Sequence, residues 1–320
     1  MNERSGECRL EAGATSRFGI LRQNLPPNKE MIPFRPRFFP GRLEKFSEDW
    51  TIMVGPADYH MHTSLCHHAE GHLREYVKVA AESGLTEMGF ACHSPMREDF
   101  DDWRMSIGDL PRYLEMVAEA QDYGSTCGVT VRLGLEVDYL PGQDKWIEEL
   151  SEMASWDYFI GSVHYLTDTL VVDHPDHLSQ VHAAFTPEQV WERYWKLYVQ
   201  AIRTGYFDIM AHPDLPKKFG TVPRGDLSHY YRPAIQALKE SNTAYEINTA
   251  GLRKPIQAMY PAAEFVQLGA QEGILLVISS DAHAPAEVGA DFDQAITLAK
   301  HAGYEQLAHF EKRSRYLLDF

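Results

Sequence analysis

The residues of this chain best suited to chemistry are crowded into one short run. Residues 57–72 read ADYHMHTSLCHHAEGH, five histidines in sixteen positions. Neutral imidazole is the commonest metal ligand among side chains. On an extended segment alternate side chains point the same way, so His60 and His62 can reach one ion. His68, on the loop that follows, can reach over the same mouth. The competing explanation is a solvated loop, and the rest of the chain weighs against it. His93, His164, His212 and His283 each stand at or just past the end of a separate apolar run. Glu136, Glu246 and Asp281 stand in similar places, with Asp138 and Asn248 close behind. Imidazole with carboxylate suits Zn, Fe or Mn. A carboxylate such as Glu136 can bridge two ions, and so many ligands exceed one tetrahedral site, which implies two or three ions.

The elements that must position these residues follow a rhythm. Seven apolar or β-rich runs, 53–60, 87–93, 129–139, 158–165, 207–212, 244–249 and 274–283, alternate with amphipathic stretches. The stretch 72–84 has an apolar face and Gly84 as C-cap. The stretch from Thr186 to Gly205 opens with Thr186 as N-cap, Pro187 at the first helical position and Gln189 completing a capping box. Repeated βα units argue for a parallel sheet with helices outside. Closed, that is an α/β barrel one strand short of eight, with its site at the C-terminal ends of the strands. Residues 1–50 differ: they are rich in proline and basic residues and lack periodicity, which predicts an extended or disordered arm before a domain over 51–320. Met31 and Met53 are alternative starts.

Composition narrows the function. A net charge of −16 argues against nucleic acid as the partner. No apolar run is long enough to span a bilayer, and no signal-like segment opens the chain. Four cysteines without a CxxC pair fit a reducing cytoplasm. An anionic substrate would then need local positive charge, which metal ions supply.

Not every histidine is expected at the metals. His67 faces away from its neighbour His68. His72, His301 and His309 fall in helical segments and are solvated. His174, His177 and His182 decorate an insert over 166–185. Asp58 either orients a ligand or caps a strand end.

In order, DYHMHTSLCHHAEGH, CHSPM, GLEVDYLPG, GSVHYL, MAHPDLPKKFG, EINTAGLRKP and ISSDAHAP resemble the motifs of the PHP (polymerase and histidinol phosphatase) family, and more narrowly its histidinol-phosphate phosphatase branch. The resemblance covers residues 55 to 310. It implies a distorted (β/α)7 TIM-like barrel and a multinuclear centre held by His60, His62, His68, His93, Glu136, His164, His212, Asp281 and His283. Where the family has Thr-Asp-His before Ser-Pro, this chain has Ala91-Cys92-His93. That removes a carboxylate behind His93, and Cys92 either approaches the metals or is a buried thiol.

The expected reaction is hydrolysis of a small phosphate ester, histidinol phosphate foremost, as in histidine biosynthesis. Metal-activated water attacks phosphorus in line, with no phosphoenzyme. Arg253, just past the sixth run, is the expected cation for the transferring phosphoryl group, with Lys217 and Lys218 as further candidates. His212 or Asp281 supplies the leaving-group proton through water. Asp138, free beside Glu136, is expected to bind the substrate amine, or else to cap the following turn. The alternatives are a PHP phosphoesterase for another ester or a nucleotide, and a non-catalytic or proofreading module. Metal-dependent amide or lactone hydrolysis would want a lysine at a strand end, and none is present.

Overall fold

The computed structural model describes residues 56–97 and 100–320. The arm expected over residues 1–50 lies outside them.

Six parallel strands follow one another in sequence order: β1 (Glu87–Phe90), β2 (Thr130–Asp138), β3 (Tyr158–Ser162), β4 (Ile209–Met210), β5 (Ala244–Asn248) and β6 (Leu276–Ser279). The seventh expected strand is an extended segment over 57–62 that pairs by single bridges. Asp58 bridges in parallel to Met88 of β1 and to Ile278 of β6, and Met61 bridges to Ala282. Because this segment touches both edges of the sheet, it closes the barrel. The Asp58 side chain fastens the closure. Its carboxylate accepts from Ser280 N at 3.0 Å, Ser280 Oγ at 2.5 Å and Gly289 N at 3.1 Å. Asp58 therefore staples the closing segment and touches no imidazole.

Side-chain alternation separates two faces. Phe159, Met210, Tyr245, Ile247, Leu276 and Ile278 join the outer core under the helices. Tyr158, Ile160, Ile209, Ala244 and Val277 form an inner core. Continuing the same alternation turns the inner face polar towards the C-terminal ends, at Glu136 and Asp138 on β2, at Glu246 and Asn248 on β5, and at Ser279 on β6. The barrel is thus apolar below and ligand-rich above. Gly134 leaves room for the inner Tyr158, since a Cβ there would lie 2.5 Å from its ring. The Tyr158 hydroxyl donates to Tyr59 O at 2.6 Å.

Helices α1 (Leu73–Glu82), α2 (Leu110–Cys127), α3 (Asp144–Glu152), α4 (Leu178–Ala184), α5 (Pro187–Thr204), α6 (Ser228–Ser241), α7 (Ala263–Gln271) and α8 (Phe292–Ala302) connect the strands. α5 has the expected capping box of Thr186 and Gln189 and stops at Gly205, φ 73°. On α1 the N-cap is His72, boxed with Glu75, and the C-cap is Ser83, with Gly84 one position later at φ +78°. His72 is therefore a cap as well as a surface residue.

A C-terminal hairpin, β7 (Gln306–Glu311) and β8 (Ser314–Asp319), is an element that the seven-run reading lacks. It plugs the N-terminal mouth. Phe310 enters the inner core, its N–H donates to the Tyr59 hydroxyl at 3.2 Å, and that hydroxyl in turn donates to Glu87. His309 lies on β7, 1% exposed, and is neither helical nor solvated.

Candidate metal centre

Each of the nine expected ligands reaches the C-terminal mouth of the barrel from its own place in the chain. The closing segment carries His60 and His62. A short turn over Ser64–Cys66 and a left-handed His67 (φ 67°) bring His68 back over it. His93 follows β1 and bridges to Glu136. His164 and His212 follow β3 and β4. The main chain at His212 is held by two tyrosines of α5: Tyr194 Oη donates to His212 O at 3.1 Å and Tyr198 Oη to Ala211 O at 3.2 Å. Asp281 takes a left-handed backbone, φ 51°, uncommon for a residue with a side chain, where β6 ends.

Glu136 is the hub. Its Oε1 lies 3.1 Å from His212 Nε2 and 3.5 Å from His164 Nε2. Its Oε2 lies 2.8 Å from His93 Nδ1, 3.4 Å from His60 Nε2 and 3.6 Å from His62 Nε2. Candidate ligand atoms gather within 4.8 Å of one another in three main sets: His60, His62 and Asp281; Glu136, His164 and His212; His68, His93 and His283. Glu136 also groups with His62 and His93, so its two oxygens serve different histidines. Asp281 Oδ1 approaches His62 Nε2 at 3.2 Å, and His283 Nε2 approaches His68 Nε2 at 3.0 Å.

The other ring nitrogens explain this orientation. His60 Nδ1 lies 3.0 Å from Glu246 Oε2, and His164 Nδ1 lies 2.8 Å from Asp138 Oδ1. His68 Nδ1 meets Cys66 O at 2.7 Å, and His283 Nδ1 meets Asp281 O at 3.0 Å. An Nδ1–H bound to an oxygen leaves Nε2 with its lone pair for a metal. Glu246 also accepts from Asn248 Nδ2 at 2.7 Å, and the same amide reaches Asp281 Oδ2 at 3.1 Å.

The fit to cations can be tested on atoms that lack a partner. Buried polar groups are nearly always hydrogen-bonded. Here His60 Nε2, both ring nitrogens of His62, His93 Nδ1 and Glu136 Oε2 are buried with none, and all belong to this cluster. Divalent ions would satisfy His60 Nε2, one nitrogen of His62, His93 Nδ1 and Glu136 Oε2 together, so the residues fit a multinuclear centre. The electrostatics agree. Burial alone would raise Glu136, but His93, His60 and His164 and the hydrogen bond to His212 hold it well below the ordinary carboxylate range. Asp281 is held well below by His60 and His62, again against burial. Burial would lower the imidazoles, yet the carboxylates lift His62 to about 9 and His164 to about 10. His93 follows burial and falls to about 4. The carboxylates arrive ionised, as metal ligands must be. His62 and His164 would have to give up a proton to ligate, so metal binding would be coupled to proton release.

Four residues expected to touch substrate lie in ion pairs within the protein. Asp138 does not offer a free carboxylate: it is 3% exposed, with Oδ1 on His164 and Oδ2 2.9 Å from Arg104 Nη2. The alternation that aims it inward was legible, but the approach of Arg104 from the loop before α2 was not. Arg253 sits at the rim, donating to Ser280 O at 2.6 Å and pairing with Glu287 at 3.2 Å. Lys217 pairs with Asp214 at 2.9 Å and Lys218 with Asp173 at 3.0 Å. His67 points away, its Nδ1 2.8 Å from Asp102 O. In the insert, His177 accepts from Val171 N and His182 bonds Thr221, so these histidines brace the loop as well as decorate it. Cys92 is a buried thiol, its sulfur accepting from Thr63 N at 3.4 Å and Oγ1 at 3.2 Å. Cys66 was passed over in the sequence, yet its sulfur groups with His62 and His283. Arg104 was also missed as a partner of the site, whereas Glu246, expected among the strand-end carboxylates as a possible ligand, instead holds His60 through Nδ1.

Comparison with known proteins bears on most of the chain. A protein of Deinococcus radiodurans named "probable histidinol-phosphatase" is 39% identical over 253 residues, 78% of this chain and 95% of that protein. The "histidinol-phosphatase" of Lactococcus lactis is 23% identical over 265 residues, 79% of this chain and 93% of its own. The crystal structure of histidinol phosphate phosphatase from Lactococcus lactis, complexed with Zn, L-histidinol and phosphate, has the same fold, with a TM-score of 0.67 at 21% identity, covering 81% of this chain and 98% of that one. The PHP domain model matches residues 58–250, a span that begins at the Asp58 staple and runs past Glu246. A match over more than half the chain, taking in the closing segment and β1 to β5, means that this chain belongs to the PHP domain family.

Proposed function

We propose that this protein is a metal-dependent phosphoric monoester hydrolase that converts histidinol phosphate to histidinol and phosphate, a step of histidine biosynthesis in the cytoplasm. The observation that carries the reading is the division of Glu136 between two groups of histidines, in a chain 39% identical to a protein named for this activity. In this reading His60, His62, His68, His93, Glu136, His164, His212, Asp281 and His283 hold two or three divalent ions, zinc, iron or manganese. When bound, such ions lower the pKa of water and supply positive charge to phosphoryl oxygens.

The chain's own residues do the rest. Glu246 and Asp138 fix His60 and His164 in one tautomer. Asn248 orients both Glu246 and Asp281. Asp281 reaches solvent more than His212 does, with side chains 16% and 3% exposed. It is held ionised, so it orients the water that delivers a proton to the leaving alkoxide. Arg253 steadies the loop carrying Asp281 through Ser280 O, and in this reading it also lends charge to the phosphoryl group. Among the described residues no helix is long and apolar enough to cross a membrane.

The experiment is phosphate release from L-histidinol phosphate, p-nitrophenyl phosphate and nucleotides, with elemental analysis of the same samples. Two to three ions per chain, preference for histidinol phosphate and loss of activity on chelation are expected. Fewer than one ion after metal-replete growth overturns the centre. Preference for a nucleotide or another ester would move the protein elsewhere in the family, and metal without turnover would leave a binding module.

A further inference from the structure

The metals would account for only one end of histidinol phosphate. The other end carries a flat imidazole and an amine, and something at the mouth must meet them. The segment between β1 and α2 supplies a surface of the right kind. Trp103 is half-buried and packs edge-to-face against two proposed ligands at once, His93 with centroids 4.7 Å apart at 86° and His164 at 5.4 Å and 81°. These histidines belong to different ion sets, so the indole stands where two positions meet the mouth.

The indole is braced from outside the centre. The Arg104 guanidinium lies 4.1 Å from its ring, and Tyr165 lies near-parallel to it at 5.9 Å. Both braces are anchored to Asp101, through Arg104 Nε at 2.8 Å and Tyr165 Oη at 2.5 Å. Phe100 packs on Tyr165 at 5.1 Å and extends the aromatic strip outward. Among the described residues only three large apolar side chains stand exposed, and two of them, Phe100 (39%) and Ile107 (41%), flank this segment. An apolar strip left open beside a polar centre marks a binding surface.

We propose that Trp103, backed by Tyr165 and Phe100, is the specificity-determining wall of the mouth and packs against the imidazole ring of histidinol phosphate. The inference rests on the substrate reading above. The chemistry divides the substrate. A phosphate dianion gains nothing from the π face of an indole, whereas a flat heteroaromatic ring gains stacking or edge-to-face contact, and a cationic one gains attraction to that face. Asp101 and Asp138 are spent on Arg104, so this wall recognises shape and aromaticity rather than net charge.

The test compares L-histidinol phosphate with glycerol 1-phosphate and ethanolamine phosphate in the wild type, Trp103→Phe and Trp103→Ala, with metal content measured for each. Trp103→Ala should raise KM for histidinol phosphate roughly 3- to 10-fold more than for either aliphatic ester, with any change in kcat shared by all three esters. Trp103→Phe should recover part of the loss. Equal losses on all three esters, or loss of metal, would assign Trp103 to holding His93 and His164 and overturn the proposal. Unchanged KM for histidinol phosphate in Trp103→Ala would overturn it as well. A wild type with no preference for histidinol phosphate fails the substrate reading itself, and shows this before any substitution is made.

Discussion

Glu246 grips His60 through Nδ1 at 3.0 Å while its other oxygen accepts the main-chain N–H of His212 at 2.8 Å. One buried carboxylate on β5 thus sets a ring on the closing segment and the backbone at the end of β4. Glu246→Gln keeps the volume and removes the charge. Partners of this kind change metal affinity about 10- to 100-fold. Chelator competition should show a loss of that size, with turnover recovering at saturating metal. Wild-type affinity would make Glu246 a purely structural residue.

Removing the hub should do more. Glu136→Ala takes a ligand from both histidine groups, so at least one ion should be missing by elemental analysis and phosphatase activity should fall about 1,000-fold or more, since metal-supplied charge and nucleophile are lost together. Full metal content in this variant would contradict a bridging role.

Asp138→Asn tests whether that residue serves substrate or site. Both its oxygens are engaged by His164 and Arg104, so kcat/KM should fall by a similar factor, about 10- to 100-fold, for histidinol phosphate and p-nitrophenyl phosphate. Loss confined to histidinol phosphate would restore the amine-binding role. Stability should fall by about 1.5–3 kcal/mol, because Arg104 keeps Asp101 but loses one of its two charged partners, and urea denaturation reads this directly.

At the opposite mouth Glu87 gives a pH dependence separate from the metals. Burial opposes its ionisation, but His309, Arg132 and Tyr59 overcome this and bring the carboxyl down to about 2 from 4.5. A lowered folded-state pKa means that the unfolded chain binds the proton first as pH falls. The stabilisation is therefore complete above 4.5 and is lost between there and about 2. Unfolding free energies from urea titration of chelator-treated protein should differ between wild type and Glu87→Gln by on the order of 2–3 kcal/mol at pH 6, and the gap should narrow towards pH 3. A constant gap would mean that Glu87 acts through packing alone.

The barrel order and the convergence of strand-end histidines and carboxylates were legible in the chain because both follow local rules, while the choice of nine ligands among them came from the resemblance to the family. A strand aims alternate residues one way, and histidines placed at successive strand ends must converge once the strands run parallel. Capping at Thr186, Pro187 and Gly205 was legible for the same reason, since each acts within one helical turn. The family motifs added the order in which the ligands occur.

What distant contacts impose could not be read. The turn between β7 and β8 uses Lys312 (φ 48°) and Arg313 (φ 62°), where hairpins of this kind favour Asn-Gly. No turn signal announced it, because the turn is held from outside, by Asp157 accepting from Lys312 N at 3.0 Å and Arg313 N at 2.9 Å. The pairing of Asp138 with Arg104, and of the lysines and Arg253 with their acidic neighbours, likewise joins separate loops. The sequence by itself determined which side chains face the mouth, through the period-two geometry of strands. Only the tertiary structure decided which of those groups remain free, because an ion pair between two loops depends on where both loops end in space.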